Sequence, residues 1–128
     1  SSPTELKSIT PILFVTDVPT SAAHFRDKLG FAIDFLHGEP PFYGAVSRDG
    51  VCIHFRCVRQ PNFAELAARE HSLILASIEV ADVHAFFAEL QGRGADIVQP
   101  PTKPTWGGTD LYVRDPDGNV ISFVTFGL

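Results

Sequence analysis

The run from Ile9 to Thr16 has the period-two spacing and the β-branched residues that predict a strand. Asp17 and the early Pro19 are typical of a helix N-terminus, and apolar residues then recur at helical spacing as far as Leu29. Gly30 is expected to end this helix. Three further strands are predicted at about 32 to 37, 42 to 48 and 51 to 58.

The second half of the chain follows the same order of elements. A strand is predicted at about 73 to 80, followed by a helix at about 82 to 93. The remaining predicted segments are a brief strand at 96 to 98, a proline-rich loop at 100 to 104, and strands at about 109 to 114 and 120 to 126. A linker at about 59 to 72, with a short helix at 62 to 70, is predicted to join the halves.

Two dipeptides occur at matching places in both halves. Asp17-Val18 before the first helix returns as Asp82-Val83 before the second, and Asp49-Gly50 returns as Asp117-Gly118. A long repeat that occurs only twice indicates a duplicated unit whose halves pack on each other. The sequence therefore predicts an α+β fold of two βαβββ modules, about 9–58 and 73–126, within a single domain spanning residues 1–128.

Composition and charge narrow the function. The chain has 128 residues, 45% hydrophobic and 20% charged, with a formal net charge of -5. Clustered Lys and Arg for neutralising phosphates are missing from the sequence, so we expect no nucleic-acid partner. Its apolar runs fall short of the roughly 20 residues that span a bilayer, so we expect no membrane association and a cytoplasmic location.

Strand parity assigns the side chains of the predicted sheet to two faces. The helix-covering face is nearly all apolar and includes Ile9, Leu13, Val15, Ile53, Phe55, Cys57, Ile121 and Phe123. The opposite face is mixed and includes Phe14, His54, Arg56, Ser77, Glu79 and Ser122. Such a face is typical of a concave binding surface, although a half-solvated face or a dimer interface would give the same pattern.

These features together resemble the vicinal oxygen chelate superfamily, which includes glyoxalases, extradiol dioxygenases and bleomycin resistance proteins. The resemblance rests on the paired modules, on the Val-x-Asp-Val lead into each helix, on Leu29-Gly30-Phe31, and on the closing 115–119 segment Asp-Pro-Asp-Gly-Asn. It extends over residues 9–126 and implies a cupped mixed sheet.

The resemblance also places the metal-ligand positions of the superfamily's enzymes. In this chain they fall on Thr10, His54, Leu75 and Ser122. Only His54 is a good ligand for a divalent metal, whereas such sites need three or four N, O or S donors. We therefore expect no cofactor, although a metal bound through His54 stays open, and an enzyme is disfavoured without being excluded.

Local similarity is greatest to the bleomycin resistance branch, in which the cup is a binding crevice between two subunits. This resemblance implies that Phe35, Phe42 and Trp106 are crevice walls, with Tyr43 beside them. Asp34 and Asp110 are candidates for binding a cationic drug. Aromatic side chains stack well on flat heteroaromatic ligands.

Two residues of the predicted cup point to a different ligand. His54 and Arg56 would place positive potential inside it, which suits a carboxylate-bearing molecule at least as well as a cationic one. Arg56 is expected to be neutralised by Glu79 if the two share a face.

We therefore predict a homodimer that sequesters a bleomycin-like or other aromatic toxin without chemistry, as an antibiotic resistance protein does. The alternative is a metal-dependent glyoxalase or dioxygenase with an unusual ligand set. The ligand-binding residues that we predict are Phe35, Phe42, Tyr43, His54, Arg56, Trp106 and Asp110.

Overall fold

A computed structural model of the protein describes residues 3–60, 65–66, 69–70, 73–104 and 107–127. The predicted linker helix at 62–70 falls largely outside these residues. Within the described ranges, no helix has both the length and the apolar character needed to cross a membrane.

The first helix, α1 (Val18–Leu29), begins and ends where its capping residues predict. The side chain of Asp17 accepts a hydrogen bond from the Thr20 backbone amide at 2.9 Å, which satisfies one of the free donors of the first turn. Gly30 follows in the left-handed conformation, with φ of 76°, which glycine adopts without steric penalty.

Four strands of the first half form one mixed sheet, in the order β1-β4-β3-β2. They are β1 (Ile12–Val15), β2 (Ala32–Gly38), β3 (Pro41–Arg48) and β4 (Val51–Cys57). β1 pairs with β4 in parallel, and the other neighbours are antiparallel. This arrangement makes β1 and β2 the edges of the sheet.

The second half builds the same arrangement. The helix α2 (Val83–Arg93) is capped by Asp82, and its sheet has the order β5-β8-β7-β6. The strands are β5 (Ile74–Glu79), β6 (Ile97–Thr102), β7 (Gly108–Arg114) and β8 (Val120–Phe126). The predicted α+β fold of two modules is confirmed.

One segment differs from its prediction. The run from Pro100 to Pro104 was expected to be a loop, but Pro100 and Pro101 belong to β6. β6 is an edge strand of the second sheet, so one of its sides has no neighbouring strand. A proline whose missing N–H would point to that side costs the sheet no hydrogen bond. Proline is therefore tolerated here, as it would not be in the middle of the sheet.

Each helix lies against its own sheet, and the two helices also contact each other. A continuous core fills the space between them; its largest fully buried side chains include Phe25, Phe55, Phe123, Leu29, Ile53 and Leu90. The assignment of two residues, Ile9 and Cys57, to the helix-covering face is wrong. Ile9 is 94% exposed because β1 begins only at Ile12, and Cys57 is exposed at the last position of β4.

Side-chain contacts join the two modules on both sides of the helices. On one side, Asp117 in the β7–β8 turn accepts hydrogen bonds from the hydroxyl and the backbone amide of Thr16. On the other, Arg48 makes a two-pronged ion pair with Glu89 of α2, with N–O distances of 2.8 and 2.9 Å. These contacts fix the modules to each other. The face of the first sheet opposite α1 stays open, whereas Asp110, Ser122 and Val124 on the corresponding face of the second sheet are buried.

Candidate functional site

Three rings cluster on the open face of the first sheet. Phe35 stacks nearly parallel to Tyr43, with their ring centroids 6.4 Å apart. His54 meets both rings edge-on, at 5.9 Å from Phe35 and 5.4 Å from Tyr43. We call these three residues the aromatic cluster.

The strand register explains how residues so distant in sequence come together. Ala45 pairs with Phe35 on one side and with His54 on the other, so the three residues form a row across the sheet. The small Ala45 side chain is buried at the centre of this row, at 1% exposure. Its size lets the Phe35 and His54 rings meet above it, while Phe35 itself keeps 45% exposure.

A hydrogen bond fixes two members of the cluster. The Tyr43 hydroxyl lies 2.9 Å from Nδ1 of His54. A phenol hydroxyl is a good donor and the unprotonated imidazole nitrogen a good acceptor, so we assign Tyr43 as the donor. Neutral His54 then carries its proton on Nε2, because the bond made by one ring nitrogen determines the protonation of the other.

Arg56 lies beyond His54 on the same face of β4 and is exposed. Its guanidinium lies over the Phe14 ring, 5.9 Å from the ring centroid. Among the described residues, no carboxylate comes within 4.0 Å of it, so the expected Arg56–Glu79 ion pair is not formed. Glu79 instead borders the cleft between the modules.

Two other predicted site residues, Phe42 and Asp110, are not part of the cluster. Phe42 is 53% exposed, and its ring packs on His37, with the ring centroids 5.3 Å apart, rather than on the three rings of the cluster. Asp110 belongs to the second sheet, where it is 5% exposed and accepts a hydrogen bond from Gln99 at 3.0 Å. Trp106 lies outside the described residues.

Sequence reasoning missed one polar pair on the second sheet. Tyr112 follows Asp110 by two positions on β7, so the two side chains lie on one face of the strand. Burial, and then the nearby carboxylate, raise the pKa of Tyr112 above its ordinary value. The sequence could have indicated this pair, because residues two positions apart on a strand, such as Asp110 and Tyr112, lie on the same face.

The residues at the family's metal positions do not fit a metal. Thr10 precedes β1, Leu75 has no lone pair, and the Ser122 hydroxyl lies in a side chain that is 3% exposed. In the parts of the chain that the structure describes, no three His, Cys, Asp or Glu side chains lie close enough together to hold an ion. The aromatic cluster therefore offers a ligand stacking and hydrogen bonding.

A cleft of about 440 Å³ lies between the two modules, away from the aromatic cluster. It is bordered by Arg48 and Asp49 of the first module and by Glu79 and Phe86 of the second. The aromatic cluster is not part of it, because an open sheet face forms an enclosed pocket only when something else covers it.

The chain thus has a duplicated α+β fold, with a helix against each sheet and an open, partly aromatic face on the first sheet. A family profile described as the Glyoxalase/Bleomycin resistance protein/Dioxygenase superfamily matches residues 6–123. The chain belongs to this superfamily, and the resemblance seen in its sequence is confirmed.

Among solved structures, the chain is similar to the bleomycin-binding protein from bleomycin-producing Streptomyces verticillus, whose structure is a complex with copper(II)-bleomycin. The two are 26% identical with a TM-score of 0.76, over 98% of this chain and 100% of that one.

Two more distant structures show the fold alone. One is a bleomycin resistance determinant encoded on the transposon Tn5, at 24% identity and a TM-score of 0.75, covering 96% of this chain and 100% of that one. The other is a glyoxalase-related enzyme from Clostridium phytofermentans, at 15% identity and a TM-score of 0.77, covering 98% and 99%. A search of the curated proteins gave no significant match.

Proposed function

We propose that the protein binds and sequesters a flat aromatic small molecule, of the bleomycin kind or another toxin, in a crevice between two copies of the chain. Binding itself is the function, and no chemical step follows. The observation that carries this proposal is the half-exposed aromatic cluster on an open sheet face.

The cluster suits stacking because its rings are held in place before a ligand arrives. The Tyr43–His54 hydrogen bond and the Phe35 contacts restrain all three side chains. Restrained rings lose little conformational entropy on binding. Aromatic stacking contributes about 0.5 to 1.5 kcal/mol beyond the burial of apolar area.

Similarity to a known binder supports the same proposal. The Streptomyces verticillus protein binds copper(II)-bleomycin, and it matches this chain over nearly the full length of both. The donor set at the family's metal positions favours binding over metal-assisted catalysis, because only His54 could serve as a strong ligand. Cytoplasmic localisation and a resistance role stay predictions from the sequence.

Sequestration is tested by a calorimetric titration of the protein with bleomycin in the presence of a chelator. We expect saturation near one drug per subunit for the wild type and about tenfold weaker binding for Phe35→Ala, since a central aromatic anchor is lost. Leu36→Ala is the control: Leu36 is 41% exposed, against 45% for Phe35, but leaves the opposite face of β2.

Two results would contradict sequestration. Equal affinity of the two variants and the wild type would remove the aromatic cluster from the site. Consumption of the ligand with retained divalent metal, abolished by His54→Ala, would establish the enzymatic alternative instead.

Dimerisation is part of the proposal because the open face presents apolar side chains. Ile12 and Phe35 stand at the two ends of the row through His54 and Ala45, with exposures of 51% and 45%. Monomeric proteins rarely leave large contiguous apolar patches uncovered, and a second copy would cover this one.

The dimer is checked by light scattering coupled to size exclusion at micromolar concentration. We expect a mass of twice the 14.0 kDa of the chain. A monomer across the micromolar range would contradict the shared crevice, because each copy would then have to enclose the ligand alone.

A further inference from the structure

The open face of the first sheet differs in charge from one end of β4 to the other. Along β4, Cys52, His54 and Arg56 point to the same side and pair with Ser47, Ala45 and Tyr43 of β3. Cys52 and Arg56, the two ends of this stretch of β4, are therefore four residues apart, which is about 13 Å along the strand. Of the aromatic cluster, His54 lies between the two ends and Tyr43 lies at the Arg56 end.

The ends differ in charge. At one end, Asp34 accepts a hydrogen bond from the Ser47 hydroxyl at 2.9 Å, and its charge helps to raise the pKa of the Cys52 thiol, although burial contributes more to that rise. At the other end, the Arg56 guanidinium lies over the Phe14 ring, and among the described residues no carboxylate comes within 4.0 Å of it. A ligand therefore meets positive charge at the Arg56 end.

His54 adds a donor next to that charge. Its Nδ1 accepts from Tyr43, so Nε2 carries the proton, and within the described part of the chain no hydrogen bond engages Nε2. His54 and Arg56 are two residues apart on one face, a separation of about 7 Å between their Cα atoms. Two donors so close together suit one anionic group, because a carboxylate accepts through both of its oxygens.

We infer that the natural ligand is a planar aromatic carboxylate, an inference that rests on the proposed function. Its ring system stacks on Phe35 and Tyr43, and its carboxylate accepts hydrogen bonds from the Arg56 guanidinium and from His54 Nε2–H. Tyr43 acts as a positioning residue in addition, since its hydroxyl holds the His54 tautomer that donates.

Three probes with one ring system separate the carboxylate from the stacking: naphthalene-2-carboxylate, the neutral 2-naphthalenemethanol and the cationic 2-naphthylmethylammonium. We expect the carboxylate to bind about tenfold more tightly than the alcohol, and the ammonium to bind most weakly. Arg56→Gln should weaken the carboxylate about tenfold and leave the alcohol within about twofold. Arg26→Gln is the control, because it removes the same charge from α1, on the other side of the sheet.

The tautomer is read independently of affinity, from the ¹⁵N chemical shifts of the His54 ring. We expect the Nε2–H form in the wild type and a mixture of both forms in Tyr43→Phe. A wild-type ring protonated on Nδ1 would overturn the donor assignment.

The outcomes keep the two proposals distinguishable. Equal binding of all three probes, each weakened by Phe35→Ala, would leave sequestration standing and overturn the carboxylate preference. Failure of naphthalene-2-carboxylate to bind at millimolar concentration would also overturn it, while the bleomycin titration would decide the proposed function separately.

Discussion

At the scale of single residues, Glu89 is notable because two arginines donate hydrogen bonds to its carboxylate. Arg48 reaches it from the first module, and Arg93 from the next turn of α2, at 2.9 Å. The hydrogen bond from Arg48 is the largest cause that lowers the pKa of Glu89 from 4.5 to about 2. A carboxylate held charged in this way stabilises the folded protein wherever the unfolded chain would also be ionised.

Glu89→Gln should therefore destabilise the protein by about 1 to 2 kcal/mol at neutral pH, after allowance for solvent screening of this part-exposed pair. Because the folded pKa is depressed, the stability from Glu89 is present above pH 4.5 and disappears as the pH falls towards 2. Denaturant unfolding of both proteins across this range measures it. A difference that stays constant with pH would show that the ion pair is not its source.

At the scale of elements, the two helices end in the same way but in different surroundings. Gly30 ends α1 with φ of 76°, and Gly94 ends α2 with φ of 72°. A Cβ added at Gly30 would lie 2.6 Å from Nη1 of Arg48, whereas the nearest atom at Gly94 is Nζ of Lys28 at 3.3 Å. The first helix end is thus tied to the ion pair between the modules, since Arg48 also donates to the Leu29 carbonyl.

The duplication supplies a matched pair of substitutions. Gly94→Ala should cost about 1 kcal/mol, because alanine disfavours the left-handed conformation. Gly30→Ala should cost about 1 to 2 kcal/mol more, because the methyl group displaces the Arg48 guanidinium from its partners. Thermal or denaturant unfolding compares them directly, and equal losses would show that Arg48 adjusts freely.

At the scale of the whole molecule, the duplicated halves meet asymmetrically. Thr16 donates to Asp117 at 2.8 Å, while the equivalent positions, Ala81 and Asp49, border the cleft between the modules. Alanine lacks a hydroxyl, so this side-chain bond cannot form there. The Thr16–Asp117 hydrogen bond therefore joins the modules on one side, which we call the closed side. On the other, which we call the open side, the equivalent bond is missing and the Arg48–Glu89 ion pair joins the modules beside the cleft.

A double-mutant cycle tests the closed side. Thr16→Val and Asp117→Ala should each cost about 1 kcal/mol, and together less than their sum by about 0.5 to 1 kcal/mol, since they share one contact. Asp49→Asn is the comparison at the open side, where we expect a change within about 0.5 kcal/mol. Strict additivity at Thr16 and Asp117 would mean that the bond does not couple the modules.

Local pattern determined much of this protein. The caps at Asp17 and Asp82, the turn glycines and the spacing of apolar residues act over a few neighbouring residues, so both helices and most strands were predicted close to their observed bounds. Residues 120–126 were predicted as the last strand and are observed as β8. The duplication was visible as well, because repeated capping and turn residues are themselves local signals.

Only the tertiary structure decided which of these residues meet. Parity put Tyr43 and His54 on faces, but strand register and the small Ala45 brought their rings together with Phe35. The ion pair predicted between Arg56 and Glu79 is absent from the described structure, because the two residues belong to different sheets. Strand parity predicts the face on which a side chain lies, but it does not predict which strands are neighbours. The distance between residues remote in sequence depends on register and packing, and no local pattern encodes either.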